Sequence, residues 1–126
     1  MIEKKYEIIL YGATGFTGQI CCKYFRDNYG DLAWAVAGRN KDKLEQVKSD
    51  LGLECDVIVA HGDDLESLKL LASLTKVVLS TAGPFARYGS LLVQACVEEG
   101  AHYTDITGEN HWVRGLIEKH HSEAAS

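Results

Sequence analysis

Apolar positions along the 126-residue chain follow two alternating patterns. Short apolar runs rich in β-branched and aromatic residues are typical of strands buried in a sheet, and they predict strands at 6–12, 32–38, 56–61, 76–83 and 102–108. Elsewhere apolar residues recur at every third or fourth position, which predicts helices at 15–29, 41–51, 64–74, 90–100 and 110–121. In the first helix this spacing is formed by Phe16, Ile20, Cys21, Tyr24 and Phe25.

The order of these elements predicts the fold class. Strands and helices alternate with short connections, and no linker or low-complexity stretch interrupts them. Such alternation favours a parallel sheet with helices on both faces, a doubly wound α/β fold joined by right-handed crossovers. The length fits one compact domain spanning 1–126.

Composition and net charge argue against some classes of binding partner. Hydrophobic residues make up 46% and charged residues 25% of the chain, so we expect a packed core rather than disorder. The net charge of −5 argues against a nucleic acid or an anionic membrane surface as partner. No apolar run reaches membrane-spanning length, and the first residues lead into a strand rather than a signal peptide. We therefore expect a cytoplasmic protein without a membrane span.

Cysteine and histidine positions do not indicate a metal site. The four cysteines lack CxxC spacing, which favours buried free thiols in a reducing compartment; they are Cys21, Cys22, Cys55 and Cys96. His120 and His121 are adjacent on a polar tail without further nearby ligands, so a solvated tail is the favoured interpretation.

The segment LYGATGFTG places three glycines directly after the first strand and before the first helix. In a doubly wound sheet Gly12 is expected to make the tight turn, Gly15 to let the backbone approach a pyrophosphate, and Gly18 to pack the helix closely on the sheet. The amides and dipole of that helix can then hold phosphates without a basic side chain, even in an acidic protein. A flexible glycine-rich turn is the alternative, but the strand–loop–helix context favours dinucleotide binding.

The end of the second strand indicates which dinucleotide is bound. An NAD site usually has Asp or Glu at this place, whereas this chain has Gly38, Arg39 and Asn40. A guanidinium at Arg39 can pair with a 2′-phosphate, and Lys43 adds positive charge, so NADP is preferred over NAD. In the alternative interpretation Arg39 is a solvated residue and Asn40 caps the following helix. Both interpretations can hold together.

Two further strand ends supply candidate contacts. Asp63 and Asp64 follow the third strand, where a carboxylate can accept a hydrogen bond from adenine, although an ordinary helix N-cap is the favoured interpretation. The fourth strand ends in STAGPF, whose small residues would let the main chain approach the cofactor while Pro84 stiffens the loop. Arg87 and Tyr88 follow and can line the crevice.

Longer motifs carry a family resemblance. GATGFTG, AGRNKDKLEQV, VVLSTAGPFARYGSLLVQACVEEGAHYTDITGE and the nearby Trp112 closely resemble the saccharopine dehydrogenase-like oxidoreductases over about residues 6–121. The GPFxxYG and HYxDxTGE segments are more specific than the glycine motif. The resemblance implies the N-terminal Rossmann domain of an NAD(P)-dependent oxidoreductase, with saccharopine reductases and trans-acting enoyl reductases among its relatives. It implies cofactor contacts at Gly12, Thr14, Gly15, Phe16, Thr17, Arg39, Ser80, Ala82 and Gly83, to which the patterns above add Gly18, Asn40 and Asp63.

The tip of the fifth strand lies on the side from which substrate would enter, and it carries Tyr103, Asp105, Gly108 and Glu109. Asp105 and Glu109 are candidate acid–base groups, but a strand-end turn with Glu109 starting the last helix is the favoured interpretation. Tyr103 can equally be a core residue. No catalytic residue is therefore assigned.

Length separates the chain from members of the family, which continue into a sixth strand and a substrate-binding domain. We expect 1–126 to be the cofactor-binding part of a longer oxidoreductase that acts on a small molecule, and to be inactive alone. The open edge at the fifth strand predicts pairing with a second copy. A non-catalytic dinucleotide sensor or an interaction domain is the alternative function.

Overall fold

The computed structural model describes residues 4–83, 85 and 89–125. Strands and helices alternate along the whole chain, as the sequence predicts. In chain order they are β1 (Tyr6–Tyr11), α1 (Phe16–Asn28), β2 (Trp34–Gly38), α2 (Lys41–Leu51), β3 (Asp56–Val59), α3 (Leu65–Ser73), β4 (Thr75–Ser80), α4 (Ser90–Glu99), β5 (His102–Asp105) and α5 (Asn110–Ala125).

The five strands form one parallel sheet in the order β3-β2-β1-β4-β5. The chain winds outward from β1 through β2 to β3, then returns to β4 on the other side of β1. The carboxyl ends of β1 and β4 therefore flank the topological switch point, where doubly wound folds bind ligands. The predicted fold class is confirmed.

Helices cover both faces of the sheet. Ile9 and Tyr11 of β1 lie in one apolar cluster with α3 and α4, which contribute Leu68 and Leu92. Leu10 points to the opposite face, where a second cluster includes side chains of α1 and α2. Alternate residues of the central strand thus belong to different cores, which is why its sequence is apolar without a break.

Strand ends and helix ends differ in how well the sequence predicts them. β3, β4 and β5 end two or three residues before their predicted limits, because the last residues of each run leave the sheet to form the loops above it. Asn40 caps α2 by accepting from the Lys43 amide, and Asp64, not Asp63, caps α3 by accepting from the Ser67 amide. The N-cap interpretation therefore holds for both helices, as the favoured one at Asp64 and as the alternative one at Asn40.

The apolar spacing predicted for α1 does not mark its buried face. Phe16, Ile20 and Tyr24 are 83%, 51% and 54% exposed, whereas the buried positions of the helix are Gly18 and Cys22. At Gly18 α1 approaches the end of β1 so closely that only glycine fits, whereas Phe25, nearer the other end of the helix, packs against the second cluster. The three exposed side chains form a separate apolar ridge on the outer surface.

Three of the four cysteines are buried, as the sequence predicts, whereas one histidine of the predicted solvated tail is buried as well. All four cysteines are free, and Cys22, Cys55 and Cys96 are buried. Burial raises the pKa of Cys22 and Cys96 to about 12, and that of Cys55 to about 11, so these thiols stay protonated at neutral pH. The prediction of a solvated tail is wrong for His120, which is 8% exposed within α5.

Residues 4–83, 85 and 89–125 contain neither a candidate membrane-spanning helix nor a candidate metal-binding cluster. No helix there has the length and apolar character that crossing a bilayer requires. The same residues contain no group of three or more His, Cys, Asp or Glu side chains arranged to hold a metal ion.

Candidate functional site

Two of the three glycines let separate chain segments come into close contact. Gly12 leaves β1 with φ at +92°, and a Cβ there would lie 2.8 Å from the backbone nitrogen of Ala82. A Cβ on Gly18 would lie 2.2 Å from the carbonyl oxygen of Gly12. Only glycine fits either position, so the end of β1, the start of α1 and the loop after β4 meet without side chains between them.

Gly15 has a different environment. It is the N-cap of α1 with an extended backbone, and the nearest heavy atom to a Cβ built there is the Gly12 carbonyl oxygen at 3.6 Å. Residues 16–18 form the first turn of α1, where amides have no partner inside the helix. Among the described residues no side chain caps them. The space beside Gly15 is therefore open, and amide donors and the positive end of the helix dipole lie next to it.

The glycine loop is held from both sides by hydrogen bonds that the sequence does not predict. The Gln19 side-chain amide donates to the Thr14 carbonyl at 3.0 Å. The Thr81 amide donates to the Tyr11 carbonyl at 2.9 Å, and its hydroxyl donates to the Gly12 carbonyl at 3.2 Å. Phe16 is exposed beside this loop and Thr17 is half-buried. These contacts fix the loop at the carboxyl end of β1.

The ends of β2 and β3 bring charged residues to the same part of the sheet. Arg39 follows β2 directly and is exposed, next to Asn40, which caps α2. The Tyr11 hydroxyl donates to the Ala60 carbonyl, and burial raises its pKa, with Arg39 lowering it and Asp63 raising it. Arg39 follows β2 and Asp63 follows β3, so both lie beyond the carboxyl ends of neighbouring strands, on the side of β1 away from β4.

The loop after β4 lies on the other side of β1. Ser80 is buried, and its hydroxyl accepts from the Ala82 amide at 3.3 Å. The Gly83 amide donates to the Thr81 carbonyl at 3.2 Å, and Gly83 is exposed. The sequence candidates Pro84, Arg87 and Tyr88 lie outside the described residues.

The loop after β5 contains a chain of hydrogen bonds. The Tyr103 hydroxyl donates to Asp105 at 2.6 Å, and Asp105 also accepts from the Thr107 amide at 2.9 Å. Burial, together with that bond to Asp105, raises the pKa of Tyr103 above its usual value. Glu109 accepts from the Thr107 hydroxyl at 3.2 Å and from the Phe85 amide at 2.7 Å. Asp105, Thr107 and Glu109 thus form a hydrogen-bonded loop after β5 in which Gly108 is exposed, and α5 begins one residue after Glu109, at Asn110.

An open groove of about 920 Å³ extends along β5 between α4 and α5. Asp105 and Thr107 line its end nearest the strand tips, while Val113, Leu116 and His120 line the remainder. The groove lies beside the sheet edge and does not include the glycine loop.

Comparisons with known proteins agree with this geometry. The family model for the saccharopine dehydrogenase NADP binding domain matches residues 8–126. A trans-acting enoyl reductase of Mycobacterium leprae is 37% identical over 127 residues, and one of Mycobacterium tuberculosis strain H37Rv is 36% identical over 126. Each alignment covers 98% of this chain and 30% of the relative, so the chain spans about 30% of the relatives' length.

Solved structures share the fold. The apo saccharopine dehydrogenase (L-Glu forming) of Saccharomyces cerevisiae superposes with a TM-score of 0.74 at 19% identity, covering 88% of this chain and 24% of that one. AtPrR2 with NADP⁺ and (+)pinoresinol superposes with a TM-score of 0.65 at 17% identity, covering 95% of this chain and 48% of that one.

The packing of Gly18 predicts a large loss of stability on a minimal substitution. Gly18→Ala places a methyl group against the Gly12 carbonyl, so we expect the free energy of unfolding to fall by about 2–4 kcal/mol in urea titration. Gly115→Ala is the matched control, since Gly115 is also helical and has open space around it. It should stabilise the protein by about 0.5–1 kcal/mol. Equal effects of the two substitutions would contradict the close contact at Gly18.

Proposed function

This chain belongs to the saccharopine dehydrogenase NADP-binding domains, and we propose that it holds NADP(H) for a reductase through its three-glycine loop and Arg39. The observation that carries the proposal is the open space at Gly15 beside the uncapped first turn of α1. A pyrophosphate there would accept hydrogen bonds from main-chain amides and face the positive end of the helix dipole. The proposed contacts on this loop are Gly12, Thr14, Gly15, Phe16, Thr17 and Gly18.

The adenosine half of NADP is proposed to lie over β2 and β3. Arg39 is exposed at the tip of β2, and a guanidinium can pair bidentately with the 2′-phosphate. Asn40 caps α2 and so fixes the backbone beside Arg39. Asp63 is the proposed adenine contact, since it is exposed after β3 and its carboxylate could accept a hydrogen bond from the adenine amino group.

The nicotinamide half then extends to the opposite side of the switch point, over β4. Ser80, Ala82 and Gly83 are the proposed contacts, because the chain there carries only small side chains and packs directly on Gly12. Bound NADPH supplies the hydride, while this chain binds the cofactor, fixes its orientation and leaves the nicotinamide face to the substrate.

The relatives extend well beyond the region matched here and support a proposal about the activity of a longer protein. We propose that residues 1–126 form the NADP-binding domain of a longer cytoplasmic oxidoreductase whose other part binds a small organic or lipid-like substrate. The chain alone is then expected to bind NADPH without turning over substrate.

Removing the guanidinium tests the cofactor preference. Arg39→Ala should weaken NADP binding by about 1.5–3 kcal/mol, the range for a hydrogen bond to a charged group, and leave NAD binding nearly unchanged. Isothermal titration calorimetry measures both affinities. Lys48→Ala, at the far end of α2, is the control for a change of net charge. Equal losses for NADP and NAD in Arg39→Ala would refute the 2′-phosphate contact.

The edge of the sheet supports a proposal about self-association. β5 pairs with β4 on one side, and no strand among the described residues pairs with its other edge. The groove beside that edge includes the exposed apolar side chain of Ile117. Unpaired edges next to apolar surface recruit a further strand, and a second copy can supply one.

Light scattering on the purified chain tests this association. We expect a dimer, with a mass twice that of the 13.9 kDa chain. Ile117→Lys places a charge in the groove and should shift the protein to monomer, whereas Leu70→Lys, at an exposed apolar position on α3, should not. A wild-type chain that stays monomeric at about 1 mM would argue against the second copy, since specific dimers hold well below that concentration.

A further inference from the structure

Glu109 joins the two loops that carry the most specific motifs of the sequence. Its carboxylate accepts from the Phe85 amide, in the loop after β4, and from the Thr107 hydroxyl, in the loop after β5. Its own amide donates to the Thr107 hydroxyl at 3.0 Å. At 2.7 Å the bond from Phe85 has the length of a charge-assisted hydrogen bond, which is about twice as strong as a neutral one.

The same two loops are also joined by aromatic packing. The rings of Phe85 and Trp112 stack with centroids 6.0 Å apart and an interplanar angle of 24°. The Trp112 indole donates to the Ser90 hydroxyl at 2.9 Å. Gly89 lies against this ring, and a Cβ there would be 2.8 Å from it. The GPFxxYG and HYxDxTGE motifs are therefore in contact through Phe85 and Glu109, and the carboxylate of Glu109 is the charged group of that contact.

The loop after β4 is thus held at two points. Ala82 packs on Gly12, and the Thr81 hydroxyl donates to the Gly12 carbonyl, so one point is the glycine loop itself. Phe85, three residues further on, is the second point, held by Glu109. Because Phe85 is only two residues beyond Gly83 in the chain, holding its amide restricts where Gly83 can lie relative to the glycine loop.

We propose that Glu109 is a positioning residue for the nicotinamide half of NADP. The inference rests on the proposed function, in which that half of the cofactor lies over β4. The carboxylate holds the loop after β4 through the Phe85 amide, and the loop in turn presents its main chain to the cofactor. This role differs from acid–base chemistry, because the carboxylate is engaged by donors of its own chain.

A pair of ligands separates this role from a general effect on the fold. NADPH has both halves of the cofactor, whereas 2′-phospho-ADP-ribose lacks only the nicotinamide. Glu109→Ala should weaken NADPH binding to the full chain by about tenfold, as expected for loss of a charge-assisted contact, and change 2′-phospho-ADP-ribose binding by less than about twofold. The change in nicotinamide fluorescence on binding should also decrease.

Two variants serve as controls. Glu109→Gln keeps an oxygen acceptor for the Phe85 amide, so NADPH affinity should stay within about threefold of wild type. Glu118→Ala removes a carboxylate from the same helix, on an exposed pair with Arg114, and should change neither affinity. If Glu109→Ala does not fold, Thr107→Val removes the hydroxyl that donates to Glu109 and should give a smaller loss confined to NADPH.

Different outcomes would overturn the positioning role of Glu109 and the proposed NADP binding. Unchanged NADPH affinity in Glu109→Ala, or in Thr107→Val where the first variant is unfolded, would overturn the positioning role. Equal losses for both ligands would overturn it as well, since the effect would then be general. A wild-type chain that binds neither ligand would refute the proposed function instead.

Discussion

Close backbone contact between three chain segments determines the rest of the site. The end of β1, the first turn of α1 and the loop after β4 approach one another so closely that Gly12 and Gly18 cannot carry a side chain. This contact places the amides of α1 at the carboxyl end of the central strand, at the switch point between β1 and β4. It also leaves no room for a side chain at Gly18, where α1 meets the end of β1, while Phe16, Ile20 and Tyr24 of the same helix are exposed.

The contact explains how a chain with a net charge of −5 can serve as an NADP-binding domain. Main-chain donors and a helix dipole supply local positive potential without basic side chains, so the overall charge does not need to match the ligand. In the proposed function one exposed guanidinium, Arg39, is assigned to the end of the neighbouring strand, where NADP and NAD differ by a single phosphate. In the proposed function, cofactor affinity is assigned to the first turn of α1 and the preference for NADP to the end of β2.

The sequence predicted what depends on local patterns. Unbroken apolar runs marked buried strands and helical spacing marked the helices, including α4, whose C-cap Gly100 has φ of +73°. The family and its cofactor, NADP, were also predicted correctly, because the motifs combine residues from several strand ends. The contacts assigned to individual site residues stay predictions.

Features that depend on tertiary packing were not predictable. The exposure of Phe16, Ile20 and Tyr24 and the burial of His120 depend on how α1 and α5 pack, which apolar spacing alone does not predict. The bond from Phe85 to Glu109 joins residues 24 positions apart, so no local pattern reveals it. The sequence offered only an indirect indication of that contact, namely that the GPF and TGE motifs occur together in this chain.

Filling the open space at Gly15 is the sharpest test of whether the diphosphate binds to the main-chain amides at the start of α1. Valine can adopt the backbone angles of Gly15, φ −77° and ψ 170°, and its Cβ would meet no atom closer than 3.6 Å. Calorimetric titration of Gly15→Val should show NADPH and NADH both weakened by at least about tenfold, while Gly30→Val, at another open glycine, binds like wild type. A folded Gly15→Val protein with undiminished affinity for NADPH would show that the diphosphate binds somewhere else.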